Sequence, residues 1–328
     1  MYKVTINNQK SFNAPDNKVI TLAALDENVV LDHSCLNGKC GICKAIILKG
    51  ETKVVKSEEG LSKEEKAAGS ILACCRVPIS DLKIDADDLT QFANFKPKIF
   101  PARIDSVELV SSNTLKAVIR LHPNAKFNFI PGQYLKLISP EGFMRSYSIA
   151  NAKRADKKLE LLVGKVDAGI LSNYWFNEAK KNDLIRIEGP FGTFVLRDTK
   201  LKKLLFLATG TGIAPIKSMI EDLSQSGNLS KYDSIIIYWG LRRKKDIFWS
   251  PKANLKKIKF FPILSREKNL NIKQGYVQDH LEGNNLCLDD YDIYACGSKN
   301  MIDEVICKLN ILGVSQGQLY SDCFLQSS

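Results

Sequence analysis

Cys35, Cys40 and Cys43 stand within ten consecutive residues, Ser34-Cys35-Leu36-Asn37-Gly38-Lys39-Cys40-Gly41-Ile42-Cys43, a C-x4-C-x2-C spacing. A further pair, Cys74-Cys75, follows in Ile71-Leu72-Ala73-Cys74-Cys75-Arg76. This spacing gathers thiolates around a [2Fe–2S] cluster of the plant type. Two irons need four thiolates. A loop punctuated by glycine lets three of them converge while its N–H groups aim at sulfur, and Gly38 and Gly41 supply that backbone freedom. A zinc site more often joins two short C-x2-C units. Either Cys74 or Cys75 completes the set, because neighbours on an extended chain point to opposite sides. The other packs in a small core.

A second stretch suited to chemistry is Leu204–Ile220, LLFLATGTGIAPIKSMI. It reads as a strand, a glycine loop and a helix. Thr209, Gly210, Thr211 and Gly212 allow a dinucleotide to approach the backbone, and Pro215 suits the first position of a helix. Three more loops follow predicted strands at their carboxyl ends: Gly240-Leu241-Arg242, Ser265-Arg266-Glu267 and Cys296-Gly297-Ser298. Ligands of open parallel sheets bind at that edge, so four loops with small or cationic residues converge on one crevice. Ser265 and Arg266 would suit a 2′-phosphate and hence NADPH. A third stretch, Met144–Asn151, sets Arg145, Tyr147 and Ser148 on a strand that follows the Pro-Gly turn of Phe129–Tyr134.

Three kinds of element must position these residues. The pattern predicts a small α+β unit first. Its strands are Tyr2–Asn7, Ser11–Ala14, Lys44–Leu48 and Leu82–Asp85, with a turn at Asn7–Asn8, a helix near Thr21–Asn28 and a short exposed helix over Ser57–Lys66. A polar linker runs through Asp85–Lys98. Regularly spaced strands then indicate a barrel or sandwich: Pro101–Val110, Thr114–Arg120, Tyr134–Ile138, Ser146–Ile149, Lys158–Lys165 and Leu184–Glu188, with one helix at Leu171–Ala179. From Leu201 strands alternate with helices at Pro215–Leu223 and Met301–Leu312, which predicts a parallel sheet. The expected fold is multidomain α+β and α/β, with domains at 1–93, 98–198 and 201–328.

Composition narrows the function. The chain has 328 residues, 45% hydrophobic and 25% charged, an ordinary globular balance. No apolar run reaches the ~18 residues of a membrane span, and the N-terminus lacks the apolar core of a secretory leader. A cytoplasmic protein is expected, with thiols kept reduced, so its clustered cysteines point to metal rather than disulfides. The net charge is +11. Residues 1–92 hold 12 Lys+Arg against 13 Asp+Glu and the rest hold 35 against 23, so the excess lies beyond the first unit. The lysines are scattered without interleaved aromatic residues, which argues for anionic cofactors and an acidic partner rather than nucleic acid. Glu58, Glu59, Glu64, Glu65, Asp85, Asp87 and Asp88 are candidates for docking, either onto the basic remainder of the chain or onto an external acceptor; the alternative is a solvated polar helix and linker.

Taken together, Arg145-Ser146-Tyr147-Ser148, the G-T-G-x-A-P loop and Cys296-Gly297 resemble the ferredoxin–NADP reductase superfamily, in the branch with an N-terminal plant-type ferredoxin domain. The resemblance covers essentially the whole chain. It implies a β-grasp ferredoxin domain, an antiparallel β-barrel flavin domain and a parallel α/β nicotinamide-nucleotide domain. Leu72-Ala73-Cys74 resembles the L-x-C of such ferredoxins, so Cys35, Cys40, Cys43 and Cys74 would hold the cluster.

By the same resemblance Arg145 would bind a flavin phosphate, Tyr147 would lie along the ring and Ser148 would approach N5. Asp167–Ser172 resembles a second phosphate element, with Gly169 permitting a tight turn and Ser172 facing the pyrophosphate at a helix start. Thr209–Gly212, Arg242, Ser265, Arg266 and Gly297 would hold the dinucleotide, and Cys296 would lie beside the nicotinamide. The C-terminal Leu319–Ser328, with Tyr238–Arg242 and Tyr294–Asp303, resembles the endings and loops of bacterial CDP-6-deoxy-3,4-glucoseen reductases, which would place Phe324 over the flavin. FAD is implied rather than FMN because the ferredoxin domain comes first, and the nicotinamide donor is NADH or NADPH. The implied activity is electron transfer from NAD(P)H through FAD and the cluster to a deoxysugar dehydrase. The alternatives are the reductase component of an aromatic oxygenase and an NAD(P)H:flavin reductase.

Overall fold

The computed structural model describes residues 1–7, 9–92, 96–139, 142–252, 256–282 and 286–324. Asn8 of the expected turn, Ala93 at the expected domain end and Leu325–Ser328 of the C-terminal motif lie outside the described residues. The chain divides into two compact units, one built mainly from Met1–Lys96 and the other from Pro97–Pro190 with Phe194–Phe324.

In the first unit, β1 (Tyr2–Ile6), β2 (Ser11–Ala14), β3 (Lys44–Lys49), β5 (Ser70–Leu72) and β7 (Leu82–Asp85) form a sheet in the order β2-β1-β7-β3-β5. β1 and β7 are parallel; the other pairs are antiparallel. Alternation decides the faces. Val4 and Ile6 of β1 and Leu82 and Ile84 of β7 turn inward onto helix α1 (Ile20–Asp26), whose Ile20, Ala23 and Ala24 are buried. Each such aliphatic side chain contributes ~1.5–3 kcal/mol by leaving water. A separate two-stranded antiparallel sheet pairs β4 (Thr52–Val54) with β6 (Arg76–Pro78).

The expected helix over Ser57–Lys66 is shorter. Only α2 (Lys63–Ala67) is helical, started by Ser62 and Glu65 in a reciprocal cap. Ser57–Gly60 instead packs on the cysteine loop: Gly60 N–H donates to Gly38 O at 2.8 Å.

The second unit opens with a six-stranded antiparallel sheet, ordered β11-β10-β13-β8-β9-β12. Its strands are β8 (Lys98–Ser111), β9 (Thr114–Leu121), β10 (Tyr134–Ile138), β11 (Met144–Ser148), β12 (Lys158–Gly164) and β13 (Leu184–Phe191). A bridge from Ile149, just past β11, to Leu161 of β12 joins the two edges and closes the barrel. Inward residues such as Ile104, Ile119, Leu135, Leu161 and Ile187 fill it. The helix expected over Leu171–Ala179 is two pieces, α3 (Ile170–Asn173) and a wider turn at Tyr174–Glu178.

The remaining sheet is parallel, ordered β17-β16-β15-β14-β18-β19. It comprises β14 (Lys203–Thr209), β15 (Ser234–Leu241), β16 (Ile258–Leu264), β17 (Lys273–Gln274), β18 (Tyr291–Ser298) and β19 (Leu319–Phe324), with helices α4 (Ile213–Gln225) and α5 (Lys299–Ile311). Its central strands are continuous apolar runs, as a sheet covered on both faces requires. β19 is a strand that the sequence motif alone did not reveal, because Leu319–Phe324 alternates weakly and sits at an edge.

Candidate active site and cluster loop

The cysteine loop is held open by backbone geometry. Gly38 has φ +82° and Gly41 φ +77°, both left-handed. A Cβ on Gly38 would run into Ser57 O and come within 2.6 Å of Cys75 Sγ, and one on Gly41 would stand 2.8 Å from Gly60 O. Leu36 also has a positive φ, 57°, so the turn between Cys35 and Cys40 is tight even at a side-chain-bearing residue.

The thiols associate in two pairs, Cys35 with Cys40 and Cys43 with Cys74. The bond from Cys40, with loop N–H groups, brings Cys35 down to about 5. The bond from Cys43 brings Cys74 down to about 7. Cys40 and Cys43, the donors, are pushed up. Asn37 N–H donates to the Cys35 sulfur at 3.5 Å, and the amides of Lys39 and Cys40 near Cys35, with that of Gly38 near Cys74, also favour the thiolates. Four sulfurs in two pairs, surrounded by N–H donors, suit two irons bridged by sulfide, and in that respect the donor set fits the cluster.

Cys74 and Cys75 lie in a turn between β5 and β6, not on extended chain, and their sulfurs are only 3.7 Å apart. The argument from opposite-facing neighbours therefore does not apply. What separates them is partnership: Cys75 donates to Ser57 O at 3.4 Å, and burial pushes its thiol up to about 12.

Glu58, expected on an exposed docking face, is buried. Its carboxylate accepts Leu72 N–H at 2.8 Å and both Arg76 Nε (3.0 Å) and Nη2 (2.9 Å). Burial works against its charge, but the Arg76 bonds prevail and hold its pKa below the usual value. Glu65 is bound to Lys44 and Ser62, Asp85 to Asn7 and Asp88 to Lys10. These acids tie the unit's own segments together.

On the barrel, β11 pairs with β10 in the register Tyr134↔Ser148, Leu135↔Tyr147 and Leu137↔Arg145. Arg145 is exposed and Ser148 buried. The Tyr147 ring meets Trp175 edge-on at 6.3 Å, and burial raises its hydroxyl to about 12, so it is neutral at physiological pH. Trp175 was not singled out in the sequence; the run Tyr174-Trp175-Phe176 was its only signal.

The expected glycine turn differs in detail. The left-handed residue is Ala168 (φ 58°), while Gly169 is extended and close-packed, its absent Cβ lying 3.2 Å from Ser172 Cβ. Ser172 Oγ accepts Val166 N–H at 2.9 Å and so closes this loop on itself.

The carboxyl edge of the parallel sheet presents its loops in strand order. Arg266 follows β16 and Arg242 follows β15, with Arg266 N–H donating to Arg242 O at 3.0 Å; both side chains are exposed. Next come Thr209–Gly212 after β14, then Cys296 and Gly297 on β18, and then Phe324 on β19, in register with Ser298. Gly210 has φ +52° and no atom within 4 Å of its missing Cβ, so the space above it is open. A Cβ on Gly212 would strike Cys296 O, and one on Gly297 would strike Thr209 Oγ1. Pro215 is the third residue of α4 rather than the first, still in the turn that has no intrahelical N–H partner. Cys296 is fully buried, which pushes its thiol up and keeps it neutral. Gly164, at the end of β12, lies 3.5 Å from Thr211 when given a Cβ, so the barrel and the glycine loop meet. These features fit a flavin on β11 facing a nicotinamide over the glycine loop.

Comparison with known proteins agrees with this geometry. Residues 4–78 match the 2Fe-2S iron-sulfur cluster binding domain, 101–196 the oxidoreductase FAD-binding domain and 206–306 the oxidoreductase NAD-binding domain. The chain is 37% identical over 324 residues to the CDP-6-deoxy-L-threo-D-glycero-4-hexulose-3-dehydrase reductase of Yersinia pseudotuberculosis, covering 96% of each. It is 28% identical to the anthranilate 1,2-dioxygenase electron transfer component of Acinetobacter baylyi, covering 98% of this chain and 99% of that one. The crystal structure of an Amycolatopsis cytochrome P450 reductase superposes with a TM-score of 0.79 at 25% identity, covering 99% of both chains. No helix among the described residues is long and apolar enough to cross a membrane. The protein is an NAD(P)H-dependent oxidoreductase of FAD and a [2Fe–2S] cluster, and the chain belongs to the ferredoxin–NADP reductase superfamily, in the branch that carries a 2Fe-2S domain at its N-terminus.

Proposed function

We propose that this chain is the reductase partner of a dehydrase acting on a CDP-linked 6-deoxyhexulose, working in the cytoplasm. The observation that carries the reading is the end-to-end match at 37% identity to a protein named for that role, against 28% for the oxygenase component. The proposed domains are 1–93 for the cluster, 98–198 for FAD and 201–328 for the nicotinamide nucleotide.

When bound, FAD accepts a hydride and releases electrons one at a time, which the cluster can carry onward. The chain's own residues do the rest. Cys35, Cys40, Cys43 and Cys74 hold the cluster. Arg145 and the 167–172 loop, with Gly169 and Ser172, would hold flavin phosphates, Tyr147 would flank the ring, and Ser148 would offer its hydroxyl to N5. Thr209–Gly212 let the dinucleotide approach the backbone. Arg242, Ser265 and Arg266 would hold its adenosine end, and Cys296, Gly297 and Phe324 would shape the nicotinamide end. The neutral Cys296 thiol fills space without a charge that would compete for the nicotinamide. Alignment of donor and acceptor atoms is the chain's main contribution to rate.

The test uses purified protein with NADH or NADPH and two candidate acceptors, a CDP-6-deoxyhexulose dehydrase and an aromatic-ring dioxygenase. Product formation with the dehydrase alone supports the proposal; turnover with the dioxygenase alone replaces it with the oxygenase-reductase reading. The ratio of kcat/KM for NADPH and NADH, and its change in Arg266→Ala, assigns the nucleotide.

A further inference from the structure

Helix α4 begins where the glycine loop ends, and three of its side chains form a row that meets the end of the flavin strand. Lys217 Nζ donates to Ala150 O at 2.8 Å. Ser218 Oγ donates to Asn151 O at 2.7 Å. Glu221 Oε2 accepts Ala152 N–H at 3.2 Å. Three consecutive residues, beginning two past Ser148, thus have a backbone group bound by one helix.

The barrel holds the same segment from the other side. Asn151, fully buried, donates to Ala152 O and Lys158 O and accepts Glu160 N–H at 2.6 Å. Lys217 is also ion-paired, 3.0 Å from Glu160 Oε1 and 2.7 Å from Glu221 Oε1. Arg154 reaches the second Glu160 oxygen at 3.3 Å.

Lys217 is only 8% exposed and Glu160 6%. Burying a cation between carboxylates is a poor way to gain stability, since desolvation offsets most of the attraction and an apolar contact of the same volume does as well. What such a pair adds is direction: hydrogen bonds fix one arrangement, where an apolar face can slide. At the N-terminus of the helix, about one turn before Lys217, Gly212 rests against the Cys296 carbonyl. A continuous chain of contacts therefore runs from Ser148 through Ala150 and Lys217 along α4 to Cys296.

We propose that Lys217 is a positioning residue for hydride transfer: by locking α4 to the end of β11 it sets the separation between the flavin face at Ser148 and the nicotinamide face at Cys296. It touches neither cofactor and acts through Ala150 and the helix. The proposal rests on the site assignment above, with flavin on β11 and nicotinamide over the glycine loop.

The test compares Lys217→Met and Lys217→Arg with the wild-type holoenzyme. Flavin content, nicotinamide dissociation constant, bleaching rate at saturating nicotinamide and amide exchange over residues 150–152 are measured separately. In Lys217→Met the rate per bound flavin should fall between about tenfold and about a hundredfold, the cost of a small misalignment. The dissociation constant should stay within about threefold and exchange at Ala152 should rise. Lys217→Arg, which keeps charge and donors, should recover most of the rate. A Lys217→Met enzyme with a wild-type rate per bound flavin overturns the proposal, as does a loss of activity that merely follows loss of flavin. Should Lys217→Met not fold, Ser218→Ala stands in: a fall of at least about threefold at saturation is expected, and an unchanged rate is contrary. Wild-type flavin that neither NADH nor NADPH bleaches would instead overturn the site assignment itself.

Discussion

Gly212 lies against the carbonyl of Cys296, so closely that a Cβ on the glycine would strike it. The glycine loop after β14 and the end of β18 are thereby a single surface. Replacing Gly212 with alanine must shift one of them. Overpacking of this kind costs ~1–3 kcal/mol. Gly212→Ala should lower the thermal midpoint and slow flavin bleaching by nicotinamide, whereas Gly210→Ala, with open space above it, should suffer mainly from its left-handed backbone. Differential scanning fluorimetry and stopped-flow absorbance report the two effects.

Arg145 is exposed at the start of a strand whose far end is buried. Arg145→Ala should weaken flavin retention by ~1.5–3 kcal/mol, the worth of a charge-assisted hydrogen bond to phosphate. Equilibrium dialysis of FAD measures it, and undiminished retention would remove Arg145 from the flavin site.

The Glu58–Arg76 pair predicts a pH dependence of the first unit. The Glu58 pKa is lowered in the folded protein, so its contribution is present above the unfolded carboxyl value of ~4.3 and is lost as pH falls through the folded value. Glu58→Gln should therefore destabilise the unit at neutral pH and make little difference in acid below both values. Breaking a buried pair costs up to ~3–5 kcal/mol, and the partial exposure of Arg76 places this one at the lower end. Thermal melts of wild type and variant across that range compare the two; a constant difference down to the acid limit would contradict the assignment.

The three-part order, most strands and the cysteine spacing were legible because each rests on local pattern. Ser11–Ala14 and Leu82–Asp85 alternate cleanly, and Leu204–Ala208 is a continuous apolar run. What escaped is long-range. Glu58 looks like one more acid in a polar run, and only the return of the chain at Arg76 buries it. Lys217 looks like a solvated helix residue until Glu160, which lies on a barrel strand, is brought beside it. The choice between Cys74 and Cys75 depends on a turn whose geometry no periodicity encodes.

That choice is directly testable. Serine at Cys35, Cys40, Cys43 or Cys74 should abolish or shift the electron paramagnetic resonance signal of dithionite-reduced protein. Cys75→Ser should leave it nearly intact, because a hydroxyl can still donate to Ser57 O. An essential Cys75 beside a dispensable Cys74 would reverse the ligand assignment.

The central claim is the route of the electrons, from nicotinamide through flavin and cluster to an outside acceptor. The most direct measurement compares two acceptors in full-length Cys43→Ser protein that retains FAD and shows no electron paramagnetic resonance signal of the cluster when reduced. Ferricyanide can take electrons from flavin, so its reduction by NADH or NADPH should persist at close to the wild-type rate. Reduction of cytochrome c, which needs one-electron delivery through the cluster, should be lost. Cytochrome c reduction at the full rate without the cluster would contradict the account and leave a plain flavin reductase.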